Sequence, residues 1–325
     1  MMLGQGWMVA WTMGLGAGLL AAAPVQGATR IEKHLALAPG GRLIVKTEVG
    51  SVVVRGDAAS GATVVVSSDR DDLEKDYELT FDATAGQAQV VVKRRHAGWS
   101  WFGGWGLWRG RTEIAVSVPR ATSASVHASG GRIEVSGLQG ETDLGSSGGS
   151  VHVRDLAGKL DARSSGGRIE ASELRGDVRL HSSGGSVHAS SVQGTVVAGS
   201  SGGGVHLERI SGNVHASSSG GGVTVREAGG RVEASSSGGR VVVSFAPGNA
   251  HGGDIGSSGG GVEVRLDANI SLNLDASSSG GSVTCDLPVT VQGKISRHSL
   301  HGNLRGGGER LHLQSSGGGI RIAAL

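Results

Sequence analysis

The stretch "SSGGRIEASELRGDVRLHSSGG", from Ser164 to Gly185, begins and ends with the same four residues, eighteen positions apart. The serine that directly precedes the two glycines recurs at this interval, at residues 129, 147, 165, 183, 201, 219 and 237, and then at 258, 279 and 316. Glycine also occupies every ninth position from Gly131 to Gly248. A fixed period of this kind is typical of a solenoid, in which each repeat packs against its neighbours.

Each nine-residue unit predicts one strand and one turn. Apolar residues stand two and four positions after the glycine, as with Val151 and Val153 or Leu160 and Ala162. This alternation is the pattern of a half-buried strand, and the glycine permits a tight turn. One coil of 18 residues therefore holds two strands, and coils stack in parallel about 4.8 Å apart. The sequence predicts an all-β fold, a parallel two-sheet β-solenoid.

The seventh residue after each glycine distinguishes two kinds of turn. In alternate units it is apolar, at Leu138, Leu156, Leu174, Val192 and Ile210. In the other units it is the serine of Ser-Gly-Gly. We therefore expect an apolar stack along one edge of the solenoid and a serine stack along the other, where hydroxyls can bond to the turn backbone.

The chain divides into three parts. Residues 1–28 have the pattern of a signal peptide, with an apolar run from Trp7 to Ala23 followed by Pro24 and small residues. No Lys or Arg precedes this run, so an uncleaved anchor is the alternative. We expect residues 29–120 to form a β-rich N-terminal cap and residues 121–325 to form the β-solenoid repeat domain. An exported protein, periplasmic or extracellular at the cell surface, is predicted.

The cap predicts its own strands, and the other end predicts a closing strand. Residues 41–54 already follow the nine-residue rule and predict a first coil. Runs at 63–66, 77–81, 89–93 and 114–118 predict further strands, the last two as a hairpin. The final run, residues 319–322, is expected to close the solenoid.

The segment "KRRHAGWSWFGGWGLWRGR", Lys93 to Arg111, is unlike the repeats. It mixes aromatic and basic side chains with no acid, and its candidate interaction residues are Trp99, Trp101, Phe102, Trp105, Trp108, Lys93, Arg94, Arg95, Arg109 and Arg111. Such a mixture suits lipid headgroups, or a glycan or protein partner that stacks on aromatic rings. The tryptophans could equally fold back and cover the end of the solenoid.

The sequence predicts no enzyme. "GSSGG" at 145–149, 199–203 and 256–260 matches the G-x-S-x-G nucleophile motif, but it arises from the repeat and lacks a following helix. Glu170, His188 and His206 fall in one outward column, which we interpret as a solvated ladder rather than a zinc site. Cys285, the one cysteine, falls at an inward position and is expected to be a small core residue. We expect no catalytic residue, no cofactor and no metal.

These features together resemble a known family. The leader, the strand ending Val116, Val118 and Pro119, and the recurrent S-G-G-x-[VI]-x-[VA] strands are similar to the bacterial putative-adhesin family with β-strand repeats, a domain of unknown function. The resemblance implies an exported β-solenoid without general catalytic residues, which presents its surface for adhesion or for binding envelope components. The alternative is an envelope-stress, scaffold or sensor protein acting through a protein partner.

The partner class follows from charge and location. A net charge of +2 gives no nucleic-acid bias. We expect an envelope surface, a glycan, an anionic lipid or a protein partner, with neither nucleic acid nor a small-molecule substrate.

Overall fold

The computed structural model describes residues 29–69, 73–95, 111–291 and 296–325. The predicted signal peptide lies outside them. The N-terminal part contains β1 (Thr29–Leu35), β2 (Arg42–Thr47), β3 (Ser51–Ala58), β4 (Ala62–Ser68), the one-turn helix α1 (Leu73–Asp76), β5 (Tyr77–Thr84), β6 (Gln87–Arg94) and β7 (Thr112–Pro119).

The regular repeats contain β8 (Ser123–Ala128), β9 (Ile133–Gln139), β10 (Thr142–Ser146), β11 (Val151–Ala157), β12 (Leu160–Ser164), β13 (Ile169–Arg175), β14 (Val178–Ser182), β15 (Val187–Gln193), β16 (Val196–Ser200), β17 (Val205–Ile210), β18 (Val214–Ser218), β19 (Val223–Ala228), β20 (Val232–Ser236) and β21 (Val241–Phe245).

The C-terminal part contains β22 (Gly253–Ser257), β23 (Val262–Leu266), β24 (Leu272–Ser278), β25 (Val283–Cys285), β26 (Thr290–Val291), β27 (Ser299–Leu304), β28 (Glu309–Ser315) and β29 (Ile320–Ala324). Among the described residues, no helix is long and apolar enough to cross a membrane.

The strands form two sheets in which neighbouring coils pair in parallel. Sheet A holds the odd-numbered strands from β9 to β23, and sheet B holds the even-numbered strands from β8 to β22. Val151 pairs with Ile169 in sheet A and Leu160 pairs with Val178 in sheet B, so partners are eighteen residues apart. The predicted parallel two-sheet solenoid is confirmed.

The core is a thin layer of aliphatic side chains between the sheets. The inward residues expected from the alternation are all at most 2% exposed: Val151, Val153, Leu160, Ala162, Ile169, Val187 and Val205. Burying a valine or leucine side chain contributes about 1.5–3 kcal/mol. Because each coil adds several, stacking supplies the stability that larger aromatic side chains supply in other folds.

A bend in the sheet-A strands from β11 to β19 brings the apolar turn residue into the core. Asp155 and the residues at the same place in the following coils, Glu173, Ser191, Arg209 and Glu227, have φ between 51° and 58°. Such left-handed residues are uncommon outside glycine. The bend shifts the alternation by one residue, so that Val153 and Leu156 both face inward. The predicted apolar stack is confirmed, and its cause is this bend.

The serine stack exists, but the serine that forms it differs from the predicted one. Sheet B has no such bend, so strict alternation puts Ser146 inward and leaves Ser147 exposed. The same holds in the next coil, where Ser164 is buried. The prediction that the serine next to the glycines forms the stack was wrong by one residue.

The corner glycines allow successive turns to touch through their backbones. A Cβ atom on Gly149 would lie 1.5 Å from the carbonyl oxygen of Gly131 on the preceding coil. No side chain can occupy that space, so the spacing of the coils requires glycine at this corner.

At the N-terminal end the chain is not laid down in sequential order. In sheet A, β3 lies between β7 and β9, and in sheet B, β2 lies between β6 and β8. Antiparallel strands β4 and β1 then cover sheet A, and β5 covers sheet B. The expected strands are present, but the expected hairpin of 89–93 with 114–118 is wrong, because β6 and β7 lie in different sheets. The division at residue 120 stays a prediction.

The C-terminal end repeats this arrangement. In sheet A, β29 lies between β23 and β25, and in sheet B, β28 lies between β22 and β24. The final strand is therefore inserted between two earlier coils, and the prediction that it closes the solenoid was wrong. Strands β25 and β26 form the edges instead, which leaves Cys285 only half-buried. Burial raises the pKa of its thiol.

Candidate binding surfaces

The tryptophan-rich segment is described only at its two ends. Trp99, Trp101, Phe102, Trp105, Trp108 and Arg109 lie outside the described residues. Lys93, Arg94, Arg95 and Arg111, at its ends, are exposed, and their side chains form no ion pair with a described residue. The structure therefore places the basic ends of the segment and leaves the role of its aromatic residues a prediction.

The segment joins β6 to β7, which are the two strands of the outermost parallel coil. In the regular coils the same connection, from sheet B to sheet A, is a short turn such as residues 147–150 between β10 and β11. Here the connection runs from residue 95 to residue 111. The aromatic residues thus replace a Ser-Gly-Gly corner at the N-terminal end of the solenoid.

A groove on the outer face of sheet B begins beside this connection. Its volume is about 550 Å³, and its basic lining residues are Lys46, Lys93, His127, Arg163 and His181. Gly145 pairs with His127 on one side and with Arg163 on the other, and because it has no side chain the groove is open between them. We call this surface the basic groove. It also contains Glu48, whose carboxylate accepts a hydrogen bond from the backbone N–H of Arg94 (3.1 Å).

A second groove lies on the outer face of sheet A. Its volume is about 810 Å³, and along its floor runs the outward column Glu134, His152, Glu170, His188, His206 and Thr224. The rings of His188 and His206 stack with their centroids 4.8 Å apart and their planes 22° apart. We call this surface the histidine groove.

The carboxylate of Glu170 is held by one residue of the preceding coil and one residue of its own coil. It lies 3.0 Å from His152 Nδ1 and accepts a hydrogen bond from Arg168 Nη1 (3.1 Å). Burial raises the pKa of Glu170, but the hydrogen bond from Arg168 and the neighbouring positive charges outweigh this and lower it. The predicted column is confirmed, because Glu170, His188 and His206 are paired with one another on successive strands.

The two stacked histidines lie in a positive environment. Burial lowers the pKa of His188, and the charges of His206 and Arg168 lower it further against the opposite effect of Glu170. Burial also lowers the pKa of His206, together with the charges of Arg226 and Arg168. Both shifts favour the neutral form of the rings. Nδ1 of His188 is shielded from solvent and has no hydrogen-bond partner.

Two glycines shape the histidine groove, and the sequence interpretation overlooked them. In other coils the position that precedes the sheet-A strand holds Arg132, Ser150 or Arg168, but here it holds Gly204 and Gly222. A Cβ atom on Gly204 would lie 3.3 Å from Cε1 of His206, so glycine lets the ring lie close to the backbone. The signal was the third consecutive glycine at 202–204 and 220–222.

The described residues contain no group of three or more His, Cys, Asp or Glu side chains arranged to hold a metal ion. Glu170 is occupied by Arg168 and His152, so it does not converge with His188 and His206 on one point. The serines of "GSSGG" lie in turns between two strands, without the helix that a nucleophile elbow needs.

The family follows from the sequence comparison. The Toastrack DUF4097 family model matches residues 42–323, from β2 to β29. The chain belongs to this family. The resemblance expected from the repeats is thereby confirmed, and Toastrack DUF4097 is a domain of unknown function. No protein with a curated description matches the sequence.

Solved structures similar to this Toastrack chain are distant from it in sequence. A putative adhesin from Bacteroides fragilis is 11% identical, covers 92% of this chain and 98% of its own, and has a TM-score of 0.36. A putative lipid binding protein from Parabacteroides distasonis is 10% identical over 92% of this chain and 97% of its own, with a TM-score of 0.38. A putative cell adhesion protein from Clostridium sporogenes is 10% identical over 92% and 100%, with a TM-score of 0.23. These values carry no argument about function.

Proposed function

We propose that this protein is a non-enzymatic, exported binding protein of the cell envelope. Its solenoid is a rigid support, and the tryptophan-rich segment with its basic ends contacts anionic headgroups or acidic glycans. The observation that carries this proposal is the replacement of one Ser-Gly-Gly corner by a long aromatic and basic connection in the outermost parallel coil.

Charge supports the choice of an anionic partner. Lys93, Arg94, Arg95 and Arg111 are exposed at the ends of the segment, and the basic groove continues from Lys93 along sheet B. Tryptophan adds a large apolar surface that favours the interfacial region of a membrane or the face of a sugar ring. Attraction between exposed charges weakens as salt is added, so binding should be sensitive to salt.

The test is binding of the protein to vesicles that contain an anionic phospholipid, followed by tryptophan fluorescence. The expected result is a blue shift of the emission with anionic vesicles, smaller at high salt, and no shift with purely zwitterionic vesicles. Replacing Trp101 and Trp105 with Ser should abolish binding while the circular dichroism spectrum stays that of the folded solenoid. The double variant His188→Gln with His206→Gln, in the histidine groove of sheet A, is the matched control and should bind the vesicles normally.

A pull-down from envelope extract separates the remaining alternatives. The wild-type protein should retain envelope polymer or lipid that the Trp101→Ser, Trp105→Ser variant does not retain. If that variant unfolds and the wild type binds neither vesicles nor any envelope fraction, the segment is a cap of the solenoid and the proposal fails. Retention of a protein alone would instead favour the scaffold or sensor role.

A further inference from the structure

The histidine groove has a surplus of positive charge that the protein itself does not neutralise. The guanidinium groups of Arg132, Arg154 and Arg226 line the groove and form no ion pair with a described residue. Of the lining acids, Glu170 is paired with Arg168, and Glu208 is paired with Arg209 outside the lining. Glu134 is the one acid of the lining without an ion pair among the described residues. Three free arginines against one free glutamate leave a net charge of about +2.

The centre of the groove is open to a ligand. Gly204 contributes no side chain where other coils carry arginine or serine, so no side chain covers the His206 ring from that side. Nδ1 of His188 is shielded from solvent and has no hydrogen-bond partner among the described residues, so a carboxylate or another oxyanion would be bound by the uncompensated arginines and by the parts of the two rings that line the groove.

The charges are distributed along the solenoid and not concentrated at one point. From the coil of Arg132 to the coil of Arg226 there are five steps of about 4.8 Å, which gives a length of about 24 Å. A single small anion would contact only a fraction of this length. An extended polymer with an anionic group on successive units would contact all of it.

The shape and composition of the groove favour a polysaccharide over a membrane. The surface is concave, whereas a lipid surface is flat on this scale. The exposed large apolar side chains among the described residues are Val197 and Leu325, and neither lines the groove. Insertion into a bilayer needs such side chains, but contact with a hydrated acidic polymer does not.

We propose that the histidine groove binds an extended acidic polysaccharide, whose carboxylates contact the His188–His206 pair and the unpaired arginines on either side of it. This site is separate from the tryptophan-rich segment, which joins β6 to β7 in sequence, and it does not depend on the function proposed above. Bound carboxylates would favour the protonated rings, so binding is accompanied by proton uptake.

The groups that face the two rings determine how binding depends on pH. His188 faces Glu170, Arg168 and His206, and His206 also faces Arg226. In the free protein these surroundings lower the pKa of both rings and favour their neutral form. Affinity is therefore expected to rise as pH falls below 7 and the rings take up protons.

The experiment is titration of the protein with an oligogalacturonate long enough to span the groove, by calorimetry at low and high salt. A neutral malto-oligosaccharide of equal length and a single-stranded DNA are the comparison ligands. Of the three ligands, we expect only the oligogalacturonate to bind. The double variant His188→Gln with His206→Gln should lower its affinity at least about tenfold. In the wild type, NMR should report raised pKa values of both histidines in the complex.

Matched variants make the result specific. The double variant His215→Gln with His251→Gln changes two exposed histidines that line neither the histidine groove nor the basic groove, and it should bind as the wild type does. The Trp101→Ser, Trp105→Ser variant should still show the rise of the His188 and His206 pKa values with oligogalacturonate, because its substitutions lie outside the histidine groove. Equal binding by the His188→Gln, His206→Gln variant, equal binding of the neutral sugar, or preference for DNA would overturn the proposal. Loss of binding in the tryptophan variant alone would assign the polysaccharide to the other site.

Discussion

The hydroxyl of Ser164 donates a hydrogen bond to the carbonyl oxygen of Gly149, 3.1 Å away on the preceding coil. The hydroxyl oxygen of Ser164 also accepts a hydrogen bond from the backbone N–H of Gly167 (2.9 Å) in its own coil. Each buried serine therefore connects two successive corners. The contact repeats at Ser182, Ser200, Ser218 and Ser236 with distances of 2.8 to 2.9 Å to the preceding coil. The Ser-Gly-Gly corner is therefore a structural joint between successive coils.

Replacing Ser182 with Ala tests this joint. The variant leaves the N–H of Gly185 and the carbonyl of Gly167 without their partner, so we expect a loss of about 1–3 kcal/mol in the free energy of unfolding. Urea unfolding measures it. Ser183→Ala, one residue later and exposed, should change the stability by less than about 0.5 kcal/mol. If Ser183→Ala destabilised the protein more than Ser182→Ala, the serine stack would be formed by the residue that the sequence predicted.

Replacing Val187 with Asp tests the core. Val187 is fully buried between the sheets, so an unpaired carboxylate there should cost about 3 kcal/mol or more. Thermal unfolding gives the measurement. Val197→Asp is the matched control, because Val197 faces outward and is 37% exposed, and it should leave the melting temperature nearly unchanged. An unaltered melting temperature for Val187→Asp would contradict the inward orientation.

The contacts of Asp275 should make the stability of the C-terminal end depend on pH. Its carboxylate contacts His301 Nδ1 (3.0 Å) on β27, and His312 Nδ1 (3.3 Å) and Arg310 on β28. Burial raises the pKa of Asp275, but the hydrogen bond from Arg310 and the neighbouring charges outweigh this and lower it below its usual value.

A carboxyl group with a lowered pKa in the folded state stabilises the protein above its ordinary pKa, and this contribution disappears as pH falls through the folded value. The free energy of unfolding, measured with urea, should be higher for the wild type than for Asp275→Asn, and this difference should decrease as pH falls from about 5 to about 2. Glu309→Gln, at an exposed position of β28 without an ion pair to a described residue, should show no such dependence. If the difference in unfolding free energy between the wild type and Asp275→Asn were the same at every pH, the contacts of Asp275 would not stabilise the C-terminal end.

Two deletions of equal size test the inserted C-terminal coil. Removing residues 308–325 takes away β28 and β29, which lie between two other coils, so β24 and β25 should lose their parallel partners and, with the antiparallel β26 and β27, become sensitive to protease. Removing residues 186–203 takes out one regular coil of the same 18 residues, and the flanking coils can pair in register. The second protein should unfold cooperatively and resist protease. Equal resistance of both proteins would contradict the observed strand order.

The sequence alone was sufficient for the repeating part of this protein. Parallel strands stack at a fixed spacing, and apolar residues two apart must face the same side, so the period of eighteen residues determined the sheets, the register and buried residues such as Val151 and Leu160. The exact inward serine was missed because the bend at Asp155 shifts the alternation in sheet A but has no counterpart in sheet B. A local left-handed residue that is not glycine has no clear sequence signal.

The ends and the grooves were decided only by the tertiary structure. The order in which β2, β3, β28 and β29 enter the sheets depends on which open edges remain to be covered, and an edge strand pairs through its backbone, which any sequence possesses. The histidine groove depends on residues eighteen positions apart being stacked and on what their neighbours leave unpaired, as with His188, His206 and Gly204. Periodicity predicts which residues share a column, but charge balance and open space arise only when the columns lie side by side.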